Sequence, residues 1–131
     1  MTEPPSLAGL RFLVVEDEAM VAMLVEDMLT DLGCVVVDVA GTVSRGVALA
    51  ANATLALDAA ILDVNLGGEK VYPVAQALAA RDVPFVFSTG YGLAGIDADF
   101  AHVPVLSKPY ELRVLESVLL STMAGRGRAK G

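Results

Sequence analysis

The chain carries one cysteine, Cys34, and one histidine, His102, in 131 residues. A single thiol excludes an internal disulfide and fits a reducing, cytoplasmic setting. Basic residues are scarce: 9 Lys and Arg stand against 16 Asp and Glu, a net charge of −7. Nucleic-acid binders usually offer phosphates a basic face, so DNA is not an expected partner. Long apolar runs are also missing. Mean hydropathy is +0.62, yet the longest uncharged stretch, Val83 to Ile96, has only 14 residues and is interrupted by Pro84 and three glycines. Membrane insertion is therefore not expected. Met1 to Leu10 lacks the basic, apolar pattern of a secretion signal. What remains is a chain 55 % hydrophobic and 19 % charged. That argues against disorder, and the length suits one domain with its own core.

Short apolar runs alternate with helical patterns. Leu10–Val15, Cys34–Val39, Asp58–Leu62, Val83–Ser88 and Val103–Leu106 read as five strands. Between the first two, Met20, Leu24, Met28 and Leu32 recur every four residues in a helix over Glu18–Leu32, which predicts a buried stripe ending at Gly33. Core packing is likewise the expectation for Met20, Met23 and Met28. Thr42 or Ser44 would cap a second helix through Val47, Leu49 and Ala50, and Pro73 suits the first turn of another. Asn65, Gly67 and Gly68 mark a loop. Glu111–Met123 reads as the last helix. Residues 1–8 and 124–131 are expected to be flexible tails around a domain at 9–123. Apolar strands without alternation call for cover on both faces, hence an α/β, doubly wound parallel sheet with helices on both sides.

In such sheets ligands bind beyond the carboxyl ends of the strands. The first strand ends in Glu16, Asp17 and Glu18, the third in Asp63, the fourth in Ser88 and Thr89, and the fifth in Ser107, Lys108 and Pro109. Each alone is commonplace: acids after a strand often open a helix, where its dipole favours them. Their convergence on one edge is the signal. Two like charges about 4 Å apart near a surface repel by about 4 kcal/mol. Glu16, Asp17 and Asp63 together thus require a cation or raised pKa values. Hard oxygen donors suit Mg2+. A carboxylate there is positioned to attack a phosphoryl group, with Lys108 and Thr89 offsetting charge on its oxygens.

The stretches LVVEDE (13–18), ILDVNL (61–66), STGYG (88–92) and SKPY (107–110) together resemble the four active-site stretches of response-regulator receiver domains of two-component systems, over residues 9–123. The resemblance implies a flavodoxin-like sheet in the order 2-1-3-4-5. It implies Asp63 as the phosphorylated residue, Asp17 as a Mg2+ ligand, Glu16 as an acid acting through water, and the Asn65 carbonyl as a further ligand. Thr89 would bond the phosphoryl group, Lys108 would pair with it, and the Lys108–Pro109 bond would be cis. The donor would be a histidine kinase or histidine phosphotransfer protein. A downstream protein would dock on the 90–123 face. About eight residues follow the last helix, so no output domain is expected. A signalling adaptor, a phosphate shuttle or sink, and a fragment of a hybrid kinase remain as roles.

Val105 stands where receivers commonly carry a switching Tyr or Phe. FSTGYG (87–92) is similar to the strand-four signature of single-domain receivers without that switch, with Ser88 in place of alanine. Tyr91 is expected to take over part of the readout or to shield the acyl phosphate. Only 19 positions separate Thr89 from Lys108, so the fourth helix should be short or mobile. Rival patterns are weaker. Gly90–Gly95 is a formal G-x-G-x-x-G, but follows the fourth strand rather than the first. Asp63-x-Asn65 lacks the later ligands of an EF-hand. His102 reads as a loop residue.

Overall fold

The structure, a computed structural model, describes residues 6–90 and 96–130, with side chains through residue 124. Five strands form the main sheet: β1 (Arg11–Val15), β2 (Val35–Ala40), β3 (Ala59–Asp63), β6 (Phe85–Thr89) and β7 (Val105–Ser107). All neighbours are parallel, in the order β2-β1-β3-β6-β7. A two-stranded antiparallel hairpin, β4 (Asn65–Leu66) and β5 (Glu69–Lys70), lies apart from it. With the hairpin set aside, this is the flavodoxin-like order 2-1-3-4-5. Helices α1 (Ala19–Asp31), α2 (Val43–Ala50), α3 (Tyr72–Ala80) and α4 (Leu112–Lys130) complete the layers. Leu13, Val15, Leu62 and Phe87 bury one sheet face with Leu49 of α2 and Leu78 of α3. Phe12, Val14 and Ile61 bury the other with Leu29 of α1 and Leu119 of α4.

The buried stripe of α1 differs from the expected one. Ala22, Val25 and Leu29 face the core, whereas Met20 is 79 % and Leu24 58 % exposed, and Met23 is exposed too. At 3.6 residues per turn, every fourth residue advances about 40° around the axis. A Met20–Leu32 line therefore winds from solvent to the half-buried Met28 and Leu32. The core reading of Met20 and Met23 is overturned with it.

Other elements follow local chemistry. Thr42 Oγ1 accepts Arg45 N–H at 3.1 Å and caps α2. Pro73 sits in the first turn of α3, where its missing N–H costs nothing. Gly46 lets α2 approach α3: a Cβ there would lie 2.8 Å from Val74 Cγ2. Asp82 holds a left-handed turn (φ 58°) between α3 and β6. The supposed Gly67–Gly68 loop is the turn of the β4–β5 hairpin, both glycines having positive φ, as a tight two-residue hairpin turn prefers.

Leu7, expected in a flexible tail, is only 3 % exposed, packed in the core with its carbonyl accepting Cys34 Sγ–H. Helix α4 carries the backbone on to Lys130, beyond the expected end at Met123. Between β6 and β7 the described residues hold a single short 3-10 helix, Ala98–Phe100, where a fourth helix was expected to be short. It is held from α3: Tyr72 stacks on Phe100 (5.2 Å, 7°), and Tyr72 hydroxyl accepts Asp97 N–H at 2.8 Å. Among the described residues, no helix is long and apolar enough to cross a membrane.

Candidate functional site

Parallel pairing brings the carboxyl ends of β1, β3, β6 and β7 to one edge. Register sets Asp63 of β3 beside Ser88 of β6, and Thr89 beside Ser107 of β7. Two backbone bonds stitch this edge: Val64 N–H to Ser88 O (3.1 Å) and Lys108 N–H to Thr89 O (2.8 Å). The Lys108–Pro109 peptide is cis, as the resemblance implies. The result is an open cleft of about 640 Å³ lined by Asp17, Asp63, Asn65, Thr89 and Lys108, with Glu18 and glycines 67, 68 and 90 at its walls.

The expected residues occupy distinct positions. Lys108 Nζ lies 2.7 Å from Glu16 Oε1 and 3.2 Å from Asp63 Oδ2, so one ammonium bridges two buried carboxylates. The second oxygen of Glu16 accepts Glu18 N–H at 3.0 Å and thereby caps the start of α1, a job the Glu18 side chain does not do. Glu16 thus sits below the cleft floor, turned toward Lys108. Asp17 is exposed, and its Oδ2 accepts Gly67 N–H at 3.0 Å. Asn65 N–H is donated to Asp63 Oδ1 at 3.3 Å, and Asn65 Oδ1 accepts Lys70 Nζ. Tyr91, Gly92 and Gly95, which carried the shielding and G-x-G-x-x-G readings, lie outside the described residues.

Charge in the cleft is unbalanced. Burial pushes the Asp63 carboxyl up to about 7; Lys108 pulls it down, while the nearby Glu16 pushes it further up. Lys108 is itself raised: burial opposes its charge, and Glu16 and Asp63 more than restore it. Three carboxylates with one ammonium leave a deficit that a divalent cation would fill. Oxygens of Glu16, Asp17 and Glu18 lie within 4.8 Å of one another. An all-oxygen donor set open to water on one side is the chemistry Mg2+ prefers.

Two contributions go beyond the expected site residues. Glu18, placed with Glu16 and Asp17 at the end of the first strand but given no role as a ligand, borders the cleft. The Gly67 amide orients Asp17 from 50 positions away, which only the Gly67–Gly68 turn signal hinted at.

No family model and no curated protein matches the chain. Solved structures do. The solution structure of SdrG from Sphingomonas melonis Fr1 is 45 % identical, with a TM-score of 0.76, covering 88 % of this chain and 97 % of that one. The BeF3-activated conformation of SdrG from Pseudomonas melonis Fr1 is 47 % identical, with a TM-score of 0.72, covering 86 % and 98 %. The receiver domain of the sensor histidine kinase PA1611 from Pseudomonas aeruginosa PAO1, whose structure has a magnesium ion in its active-site cleft, is 26 % identical, with a TM-score of 0.76, covering 89 % and 99 %.

Proposed function

The chain belongs to the response-regulator receiver family, and on that premise we propose that it takes a phosphoryl group onto Asp63 from a phosphohistidine of a histidine kinase or histidine phosphotransfer protein. The observation that carries this reading is the meeting of Asp63 with Lys108 at 3.2 Å on a cleft that also holds Asp17, Asn65 and Thr89. An Asp63 carboxylate oxygen attacks phosphorus, the phosphorus–nitrogen bond breaks, and the departing imidazole keeps the electron pair. Lys108, already within ion-pair reach of Asp63, follows the charge onto a phosphoryl oxygen; Thr89 offers a hydroxyl from the adjacent strand end. Asp17, Asp63 and the Asn65 carbonyl would hold Mg2+, with Glu16 acting through water, and the ion would neutralise charge on the transferring group. Water attack on the same phosphorus would reverse the modification.

The receiver unit is taken as residues 9–123, working in the cytoplasm. Its output is a phosphorylation-dependent contact with a protein on the 90–123 face, where the described residues before β7 include the 3-10 helix Ala98–Phe100. Incubation with acetyl phosphate and Mg2+, then intact mass and peptide mapping, tests the chemistry. One phosphoryl group is expected on the peptide holding Asp63, and none on Asp63→Ala. A modified peptide elsewhere, or the same modification in Asp63→Ala, refutes it. Capture of partners with and without beryllofluoride tests the output: a phosphoryl-dependent partner that is not a kinase marks an adaptor, and capture of kinase alone marks a shuttle or sink.

A further inference from the structure

Two hydroxyls beneath the cleft have no role in the chemistry above. Ser88 Oγ and the Tyr110 hydroxyl are both fully buried, and among the described residues neither has a well-formed hydrogen bond. Buried polar groups are seldom left so. They touch without good hydrogen-bond geometry: burial raises the tyrosine pKa, and a weak side-chain hydrogen bond with Ser88 and the Lys108 ammonium draw it partly back. Both lie on the sheet face covered by α1 and α4, since side chains alternate along β6 and Phe87 belongs to the opposite core.

Their connections run in two directions. Ser88 sits between Phe87 and Thr89; it is in register with Asp63, and its carbonyl accepts Val64 N–H. Any displacement of Thr89 toward a group on Asp63 is carried by the peptide that holds Ser88. Tyr110 follows the cis Lys108–Pro109 bond, and its ring lines a groove of about 130 Å³ with Val21, Leu24 and Met28 of α1 and with Pro109. The hydroxyl of Tyr110 thus faces the site while its ring faces the groove.

We propose that Ser88 and Tyr110 are a positioning pair: their hydroxyls, in poorly aligned contact in the resting protein, tighten into a well-formed hydrogen bond when Thr89 engages a phosphoryl group on Asp63, and Tyr110 transmits the change to the groove along α1. The proposal rests on Asp63 as the acceptor. It gives this chain a route from site to surface that does not need an aromatic side chain at Val105. A hydroxyl is required at 88, because alanine there has no group to offer.

The test is a titration of the full chain with beryllofluoride and Mg2+, followed by NMR of the Leu24 and Met28 methyl groups. The variants are Ser88→Ala, Tyr110→Phe, the double variant and Ser88→Thr. Each single variant should bind beryllofluoride about three- to ten-fold more weakly, the worth of one hydrogen bond. The double variant should be no weaker than either single one, because the same bond is lost in all three. Ser88→Thr should keep wild-type affinity. The methyl shifts seen on binding to wild type should be lost in Ser88→Ala and Tyr110→Phe. Resting stability should fall little, since each deletion removes a buried polar atom that lacks a well-formed hydrogen bond. Wild-type affinity in both single variants, losses that multiply in the double variant, or unaltered methyl shifts would overturn the pair while leaving Asp63 as acceptor. Failure of wild type to bind beryllofluoride would overturn both readings.

Discussion

Asp63→Asn should stabilise the unmodified protein, and do so more at high pH. The Asp63 carboxyl titrates near 7 when folded and near 3.8 when free. Folded protein therefore holds that proton more tightly than the unfolded chain does. Stability falls as pH rises from about 4 to about 7, and the loss is complete above the folded value. The full pKa difference corresponds to at most about 4 kcal/mol. Water at the cleft mouth relaxes part of the cost, leaving about 1–3 kcal/mol at pH values above about 7. Asparagine keeps the shape and removes the charge, and Lys108 stays paired with Glu16 at 2.7 Å. Urea unfolding at about pH 5.5 and about pH 8 measures this. With a slope near 2 kcal/mol per molar, the variant's midpoint should exceed wild type by about 1 M at the higher pH and by clearly less at the lower. Adding Mg2+ should raise the wild-type midpoint more than the variant's. A variant less stable than wild type at the higher pH, or a gap that does not change with pH, would refute the assignment of strain to this carboxylate.

Lys108→Ala should drive the Asp63 carboxyl above its value of about 7, because the one cation opposing its protonation is gone; carbonyl NMR across a pH titration reads this directly. Gly46→Ala should cost about 1–3 kcal/mol in thermal unfolding, since its methyl would meet Val74 Cγ2 at 2.8 Å across the α2–α3 contact. At Asp82, whose φ is 58°, alanine should be less stable than glycine by about 1 kcal/mol, because only glycine takes that conformation without strain.

Strands and the residues that line the cleft were legible in the sequence for the same reason. In a parallel sheet covered on both faces, each strand is a short, uncharged run, and the first polar residues after it mark its carboxyl edge. Leu10–Val15, Asp58–Leu62 and Val83–Ser88 therefore lie within two residues of the strands found, and Asp17, Asp63, Thr89 and Lys108 reach a common cleft. The face of α1 was not legible, because two apolar lines run along it and only the sheet decides between them. Met20 and Leu24 look as buried by spacing as Val25 and Leu29, yet the sheet takes the latter. The hairpin after Asp63 was hidden because two-residue strands have no periodicity. The packing of Leu7 depends on a contact with Cys34, 27 positions away, which no local pattern records. The pairing of Ser88 with Tyr110 also depends on the fold, through strand alternation and the chain reversal after Lys108.

Strand β2 has a consequence for how this chain behaves in company. It is an outer strand, six residues long, and five of the six are Val or Ala. Such a margin invites a second molecule to add its own strand and continue the sheet without limit. The one charged residue in it, Asp38, works against this twice. Its Oδ1 takes the Val39 N–H at 2.8 Å, withdrawing a donor that an incoming strand would need, and its Oδ2 holds Arg45 at 3.2 Å. The break in register opposite Phe12 and Leu13 twists the same margin. A single carboxylate and a local irregularity thus guard the border against fibrillar growth, at the opposite end of the sheet from β7.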